Sequence, residues 1–276
     1  TSRIEKELEN GKIVIIAGFQ GINPSMDITT LGRGGSDTTA VAVAAKLKAA
    51  KCYIFSDVDG VYTTDPRQTK VARKINTLSY TEMLDIADEG AKVLHNRCVE
   101  VGEKFNVPII AKSTFNNNDG TIINDKIEGG YVKNIVKNDN IQYVHITSKE
   151  KYVLDKFNLI YNSFIDQELN VKNLVNSSED TLDISFTIPK AKFNKLANLL
   201  ENKFEELEST YLDITRISII GNGIMSNNNV LNKTMDVIKK NQLDIISMEI
   251  NETKISVMFK KVIPDEILEE LHKALI

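Results

Sequence analysis

The sequence predicts an α/β protein in two parts. A mainly parallel, helix-covered sheet runs to about residue 135, and two ferredoxin-like βαββαβ units follow. Three observations lead there. Short apolar runs alternate with amphipathic or Ala-rich stretches in the first half, the rhythm of a parallel sheet with crossover helices. Beyond Ile141 the chain becomes richer in Asn and Lys and poorer in Gly, which marks a domain boundary. The second half then repeats itself about 75 residues on, a period too long for a solenoid and suited to a duplicated small domain.

Taken in order, residues 12–18 read as a fully buried strand, because Ile13, Val14, Ile15 and Ile16 run without alternation. Residues 37–50 read as an Ala-rich helix, residues 52–56 as a second strand, and residues 79–87 as a helix opened by the capping box Ser79-x-x-Glu82. A further helix is expected over residues 91–105 and a third strand over residues 107–111. In the second half, strand-like 142–147 matches 215–220, and 170–175 matches 244–248. Likewise Ile184-Ser185-Phe186 matches Ile255-Ser256-Val257, and Pro189 and Pro264 each precede an amphipathic helix. Each unit reads strand-helix-strand-strand-helix, with a last strand poorly defined or exchanged between the units.

Composition narrows the function. The 276 residues carry 34 basic and 38 acidic side chains, a net charge of -4, with 42% hydrophobic and 26% charged residues. This is a globular composition, which excludes disordered, collagen-like and disulfide-stapled chains. No basic run suits nucleic acid or an anionic membrane, and no apolar stretch reaches the roughly 18 residues of a membrane span. Cys52 and Cys98 form no CxxC pair, and His95, His145 and His272 are scattered, so no metal site is expected and both thiols are expected buried and reduced in a cytoplasmic protein. The first residue is Thr, with no signal-peptide segment after it; the chain is expected to begin inside a longer protein.

Three segments carry chemistry. Leu31-Gly32-Arg33-Gly34-Gly35-Ser36-Asp37 lies between a polar loop and the Ala-rich helix, where backbone N–H groups converge on an anion. Arg33 adds a planar fork for a carboxylate or phosphate, and Asp37 suits an ammonium group or a lysine. The spacing is neither a Walker A box nor GxGxxG; a tight loop with Ser36 or Asp37 as N-cap is the plain alternative. Ser56-Asp57-Val58-Asp59-Gly60-Val61-Tyr62 and the following Thr63-Thr64-Asp65-Pro66-Arg67 leave the carboxyl end of a strand, where open sheets bind ligands. Tyr62 can stack on a base and Arg67 can reach phosphate, against an ordinary turn. Gly90-Ala91-Lys92-Val93-Leu94-His95 is read as opening a helix with a cation, unfavourable against the macrodipole and therefore a functional hint, against a solvated surface lysine. His95 is either a general base or, by preference, a hydrogen-bonded structural residue.

Together Gly18-Phe19-Gln20-Gly21, Thr30 to Asp37, Asp57 to Arg67 and Gly90 to His95 resemble the aspartate kinase family, strongly over residues 12–135. The resemblance implies the C-terminal part of an amino-acid-kinase domain, an αβα sandwich, over residues 1–137. Two ACT regulatory domains would follow over 138–210 and 211–276. It implies transfer of the ATP γ-phosphoryl group to the β-carboxylate of L-aspartate, giving 4-phospho-L-aspartate, the first step towards lysine, threonine and methionine. Arg33, Gly34, Gly35 and Ser36 would bind aspartate in a pocket lined by Phe19, with Asp37 organising the reacting groups. Ser56, Asp57, Tyr62, Arg67, Lys92 and Val93 would hold ATP, with Asp37 and Lys92 as catalytic residues. Mg²⁺ would come with ATP, held by phosphate oxygens and water rather than by protein ligands.

The family's amino-terminal Lys-Phe-Gly-Gly-Thr segment has no counterpart, so these residues alone are expected to be nearly inactive and the intact protein a kinase. The ACT pair implies feedback by an amino acid, lysine first and threonine second, across a homodimer or a dimer of dimers. Tyr152, Val153, Asn173, Ser178, Glu179, Gly223, Ile224 and Met225 are the candidate effector contacts. A kinase acting on glutamate, uridylate or carbamate, and a noncatalytic ACT-type amino acid sensor, are the alternatives.

Overall fold

The first lobe is built on Cys52 and Ile54, whose side chains point into one core while Tyr53 and Phe55 point away, the period of two that a strand imposes. In the computed structural model, residues 2–91, 93–127, 129–148, 153–176 and 181–276 are described. The lobe runs α1 (Ser2–Glu9), β1 (Gln20–Ile22), β2 (Ile28–Thr30), α2 (Gly35–Lys46), β3 (Cys52–Ser56), β4 (Thr77–Ser79), α3 (Tyr80–Asp88), α4 (Asn96–Phe105), β5 (Ile109–Ser113) and β6 (Thr121–Asn124). Strands β1 and β2 form a small hairpin, and the others a four-stranded sheet of order β3-β5-β6-β4. Pairs β3/β5 and β4/β6 are parallel, whereas β5/β6 is antiparallel. Val41 of α2, Met83 and Ile86 of α3, and Cys98 and Val99 of α4 close over Ile54, Leu78, Ile109 and Ile123. Both cysteines are free and buried, and burial pushes the Cys98 thiol up to about 12.

Four elements differ from the sequence expectation. Residues 12–18 form no strand, and Ile13 and Ile15 are each 95% exposed. An apolar run becomes a buried strand only with ladder partners, and it has none among the described residues. The third strand starts at Ile109, because Pro108 has no N–H to donate. Helix α2 ends at Lys46, stopped by the left-handed Lys48. Helix α4 begins at Asn96 rather than near residue 91: His95 is extended and its Nδ1 accepts from the Arg97 N–H at 3.4 Å, making it the N-cap. Lys92 lies outside the described residues. The capping box holds as read, with Ser79 Oγ accepting from the Glu82 N–H and Glu82 Oε2 accepting from the Ser79 N–H.

The second half continues with β7 (Asn134–Ser148), α5 (Val153–Asp166), β8 (Lys172–Asn176), β9 (Leu182–Pro189), α6 (Phe193–Lys203), β10 (Glu208–Ile220), α7 (Asn228–Lys240), β11 (Ile245–Ile250), β12 (Lys254–Phe259) and α8 (Asp265–Leu275). The two units share a single antiparallel sheet of order β11-β12-β10-β7-β9-β8. Strands β7 and β10 pair along almost their whole length, with an irregularity beside Ile214, where Thr215 Oγ1 donates to Asp139 Oδ1. On one side of that point, residues 141–148 of β7 pair with β9. On the other, residues 215–220 of β10 pair with β12. Each long strand is therefore the first strand of its own unit and the last strand of the other, the exchange left open by the sequence. Phe186, Ile184 and Leu196 centre one core; Ile217, Val257 and Leu268 centre the other.

Candidate functional site

Helix α2 starts at Gly34, which is left-handed (φ 68°), and no side chain caps it. The Gly35 N–H donates to Gly32 C=O at 3.1 Å, so the N–H groups of Ser36 and Asp37 are the ones left for an anion; with Gly34 as the N-cap, the plain N-cap reading of Ser36 or Asp37 does not hold. Glycine is required there twice over, by the positive φ and because a Cβ would overlap the His95 ring. Phe19, also left-handed, packs on Gly35; its N–H donates to Thr39 Oγ1 at 3.2 Å and its C=O accepts from the Leu31 N–H at 3.0 Å. Arg97 donates to Leu31 C=O at 2.8 Å, tying α4 to the same loop. Burial pushes the Asp37 carboxyl up, opposed by His95 and a hydrogen bond from Ser36. Phe19, Gly34, Gly35, Ser36 and Asp37 thus converge with His95, and Arg33 is exposed beside them. For His95 the preferred reading, a hydrogen-bonded structural residue, is what the structure shows, since it caps α4; its contact with Gly34 was not legible in the sequence.

A second region is a cavity of about 620 Å³ walled by the turn through Asp57, Tyr62, Thr64 and Arg67, by Gly90 and Val93, and by the start of β7. Asp57, Tyr62, Arg67 and Val93 are among its lining residues. Ser56 is not among the lining residues; its Oγ accepts from the Val58 N–H at 3.3 Å and shapes the turn. Arg67 is folded back onto Asp65 through two hydrogen bonds, at 3.0 and 2.9 Å. Although burial acts in the opposite direction, Arg67 holds the Asp65 carboxyl below its ordinary range. Asp59 is gripped by Asn118 at 2.8 Å and Lys74 at 3.4 Å. Three buried polar atoms at this wall, Thr64 Oγ1, Asp59 Oδ1 and Asn134 Oδ1, have no partner among the described residues. Such atoms fit a polar ligand, since a buried orphan costs about 1–3 kcal/mol. Val93 and His95, two residues apart, link the two regions, Val93 at the cavity and His95 against Gly34.

The described candidate effector residues lie as follows. Asn173 Oδ1 accepts from Arg216 Nη1 at 2.8 Å and Thr187 Oγ1 at 3.2 Å, and its amide donates to Glu249. It therefore knits the two units. Gly223 is left-handed, Ile224 is buried in the second core, and Met225 is exposed. Val153 opens α5; Tyr152, Ser178 and Glu179 lie outside the described residues. Among the described residues no helix is long and apolar enough to cross a membrane.

The fold is thus an α/β lobe that carries an uncapped helix N-terminus and a polar cavity, followed by a ferredoxin-like pair on one shared sheet. The profile of the amino acid kinase family matches residues 1–113. The chain is 39% identical to the aspartokinase of Geobacillus stearothermophilus, over 99% of this chain and 68% of that protein. It is 38% identical to aspartokinase 2 of Bacillus subtilis, over 99% and 69%. Its fold matches E. coli aspartokinase III in complex with aspartate and ADP, with a TM-score of 0.80 at 23% identity, over 99% of this chain and 63% of that one. The chain belongs to the aspartokinase family, and it spans about two thirds of the length of these relatives.

Proposed function

We propose that this chain carries the nucleotide-binding and regulatory portions of an enzyme that transfers the γ-phosphoryl group of MgATP to the β-carboxylate of L-aspartate. The observation that carries the reading is the cavity with its orphaned Thr64, Asp59 and Asn134 atoms next to the uncapped start of α2. The carboxylate acceptor is already a nucleophile, so the protein's task is positioning and charge neutralisation. In this reading the Ser36 N–H and the Arg33 fork receive the carboxylates of aspartate over the Gly34-Gly35 turn, while Asp37, beside His95, orients its ammonium group. Tyr62 and Val93 would face the base and ribose and Arg67 the phosphates, with Lys92, outside the described residues, kept as a second cation for phosphate. Mg²⁺ neutralises charge on the β- and γ-phosphates. Feedback by lysine, with threonine as second candidate, would act through the paired units in a cytoplasmic homodimer or dimer of dimers. E. coli aspartokinase III complexed with lysine and aspartate supports that effector class, by its fold at 22% identity.

The test measures aspartyl phosphate formation from MgATP by the product of the complete reading frame and by these 276 residues, with and without lysine. Lysine-suppressed activity of the longer protein, with little from the shorter, supports the reading. Lysine binding with no phosphoryl transfer by the longer protein would replace it with the sensor.

A further inference from the structure

One buried side chain of the regulatory half reaches the wall of the cavity. His272 sits in the last turn of α8, 2% exposed, and its Nε2 lies 2.7 Å from Oγ1 of Thr63, itself 8% exposed. Thr63 lies within the turn whose flanking residues Tyr62, Thr64 and Asp65 line the cavity. Its backbone is held on both sides: the N–H donates to Arg73 C=O, and the C=O accepts from the Ile135 N–H, each at 2.8 Å. Thr63 Oγ1 also accepts from the Arg73 N–H at 2.9 Å. Its own proton is then free for a neutral imidazole, and His272 is the group in place to accept it. Next to it, Asn134 Nδ2 donates to Tyr62 C=O at 2.6 Å. Two elements of the second regulatory unit, β7 and α8, therefore grip adjacent residues of the turn, and β7 itself forms cavity wall.

We propose that His272 is a positioning residue of the nucleotide pocket, holding the turn from Tyr62 to Arg67 through Thr63, so that a displacement of α8 is felt at the pocket without passing through the rest of the kinase lobe. The proposal rests on the nucleotide-binding reading for its consequence, not for its geometry. Beside His272 the helix packs through Leu268 and Leu271, and other polar contacts of α8 run through Asp265 to Lys137 and through Glu270 to Lys240 and Asn241; the contact with Thr63 can therefore be removed while these hold the helix in place.

The experiment compares His272→Ala and His272→Gln with the wild-type chain. Hydrogen exchange is followed at residues 61–75, with α7 and β12 as internal reference, and MgADP affinity is measured by calorimetry. The expected result is about tenfold faster exchange at 61–75 and about tenfold weaker MgADP binding in His272→Ala, the weight of one ordinary hydrogen bond. Both should be largely restored in His272→Gln, whose amide oxygen can accept from Thr63, while α7 and β12 remain protected. Unchanged exchange at 61–75 in a folded His272→Ala would overturn the proposal, as would equal loosening of α7 and β12, the mark of a merely structural histidine. If wild-type chain fails to bind MgADP, the nucleotide reading falls, and the exchange comparison still decides whether His272 holds the turn.

Discussion

Glu89→Gln tests the lock between the kinase lobe and the regulatory sheet. Glu89 caps α3 and is 3% exposed. Arg216 of β10 and Lys254 of β12 each place a nitrogen 2.8 Å from its carboxylate, and Ser218 Oγ donates to it at 2.7 Å. Glutamine keeps the volume and an acceptor for Ser218 but removes the charge, leaving Arg216 and Lys254 unbalanced in a buried site. Removing one partner of a buried pair costs about 3–5 kcal/mol. Lys254 also feels Glu249 and Asp85, which places this case at the lower end. A chain of this size loses roughly 2–4 °C of melting temperature per kcal/mol, so about 6–12 °C is expected from scanning fluorimetry. The pH dependence has a definite sign. Burial alone would raise the Glu89 carboxyl, but Arg216 and Lys254 outweigh it and hold it below the ordinary range. Its stabilisation is therefore complete above the ordinary carboxylate range and is lost as pH falls through the lowered folded value, so wild type and variant converge in acid. A shift below about 2 °C near neutral pH, or additivity of Glu89→Gln with Arg216→Gln in a double-mutant cycle, would refute the reasoning.

Three further outcomes are expected. Ser79→Ala removes a buried cap that also accepts from Asn222 Nδ2 at 3.0 Å, and should lower the urea-derived unfolding free energy by about 1–2 kcal/mol. Gly34→Ala places a Cβ on the His95 ring at a positive φ; the strain alone is about 1–3 kcal/mol, and in the full-length enzyme the KM for aspartate should rise with little change in that for ATP. Phe186→Ala empties a fully buried site beside Phe164, whose ring centre is 5.1 Å away. It should cost about 3–5 kcal/mol in the first regulatory unit, with MgADP affinity unchanged because that core is separate from the cavity.

How much was legible divides by the range of the interaction. The Ser79–Glu82 box, the strand at Cys52–Ser56 and the repeated strands of the second half could be read because their signals span a few residues. The run at 12–18 misled because hydrophobicity shows that a strand would be buried, not whether a partner is beside it. The contact of His95 with Gly34 was not legible for a related reason: the two lie far apart in sequence, and only the close approach of α2 and α4 adds the His95 ring to the positive φ that already favours glycine.

The sequence by itself determined local events: most of the helices and strands, the Ser79–Glu82 capping box, which turn residues offer polar groups, and that the second half is duplicated. Tertiary structure alone decided that β7 and β10 each complete the other's unit, that the start of β7 walls the cavity, and that Glu89 meets Arg216 and His272 meets Thr63. Periodicity specifies the face a side chain takes, but its partner follows from strand register and from how the helices dock. A charge or hydroxyl gains its energetic weight only when that docking removes it from water.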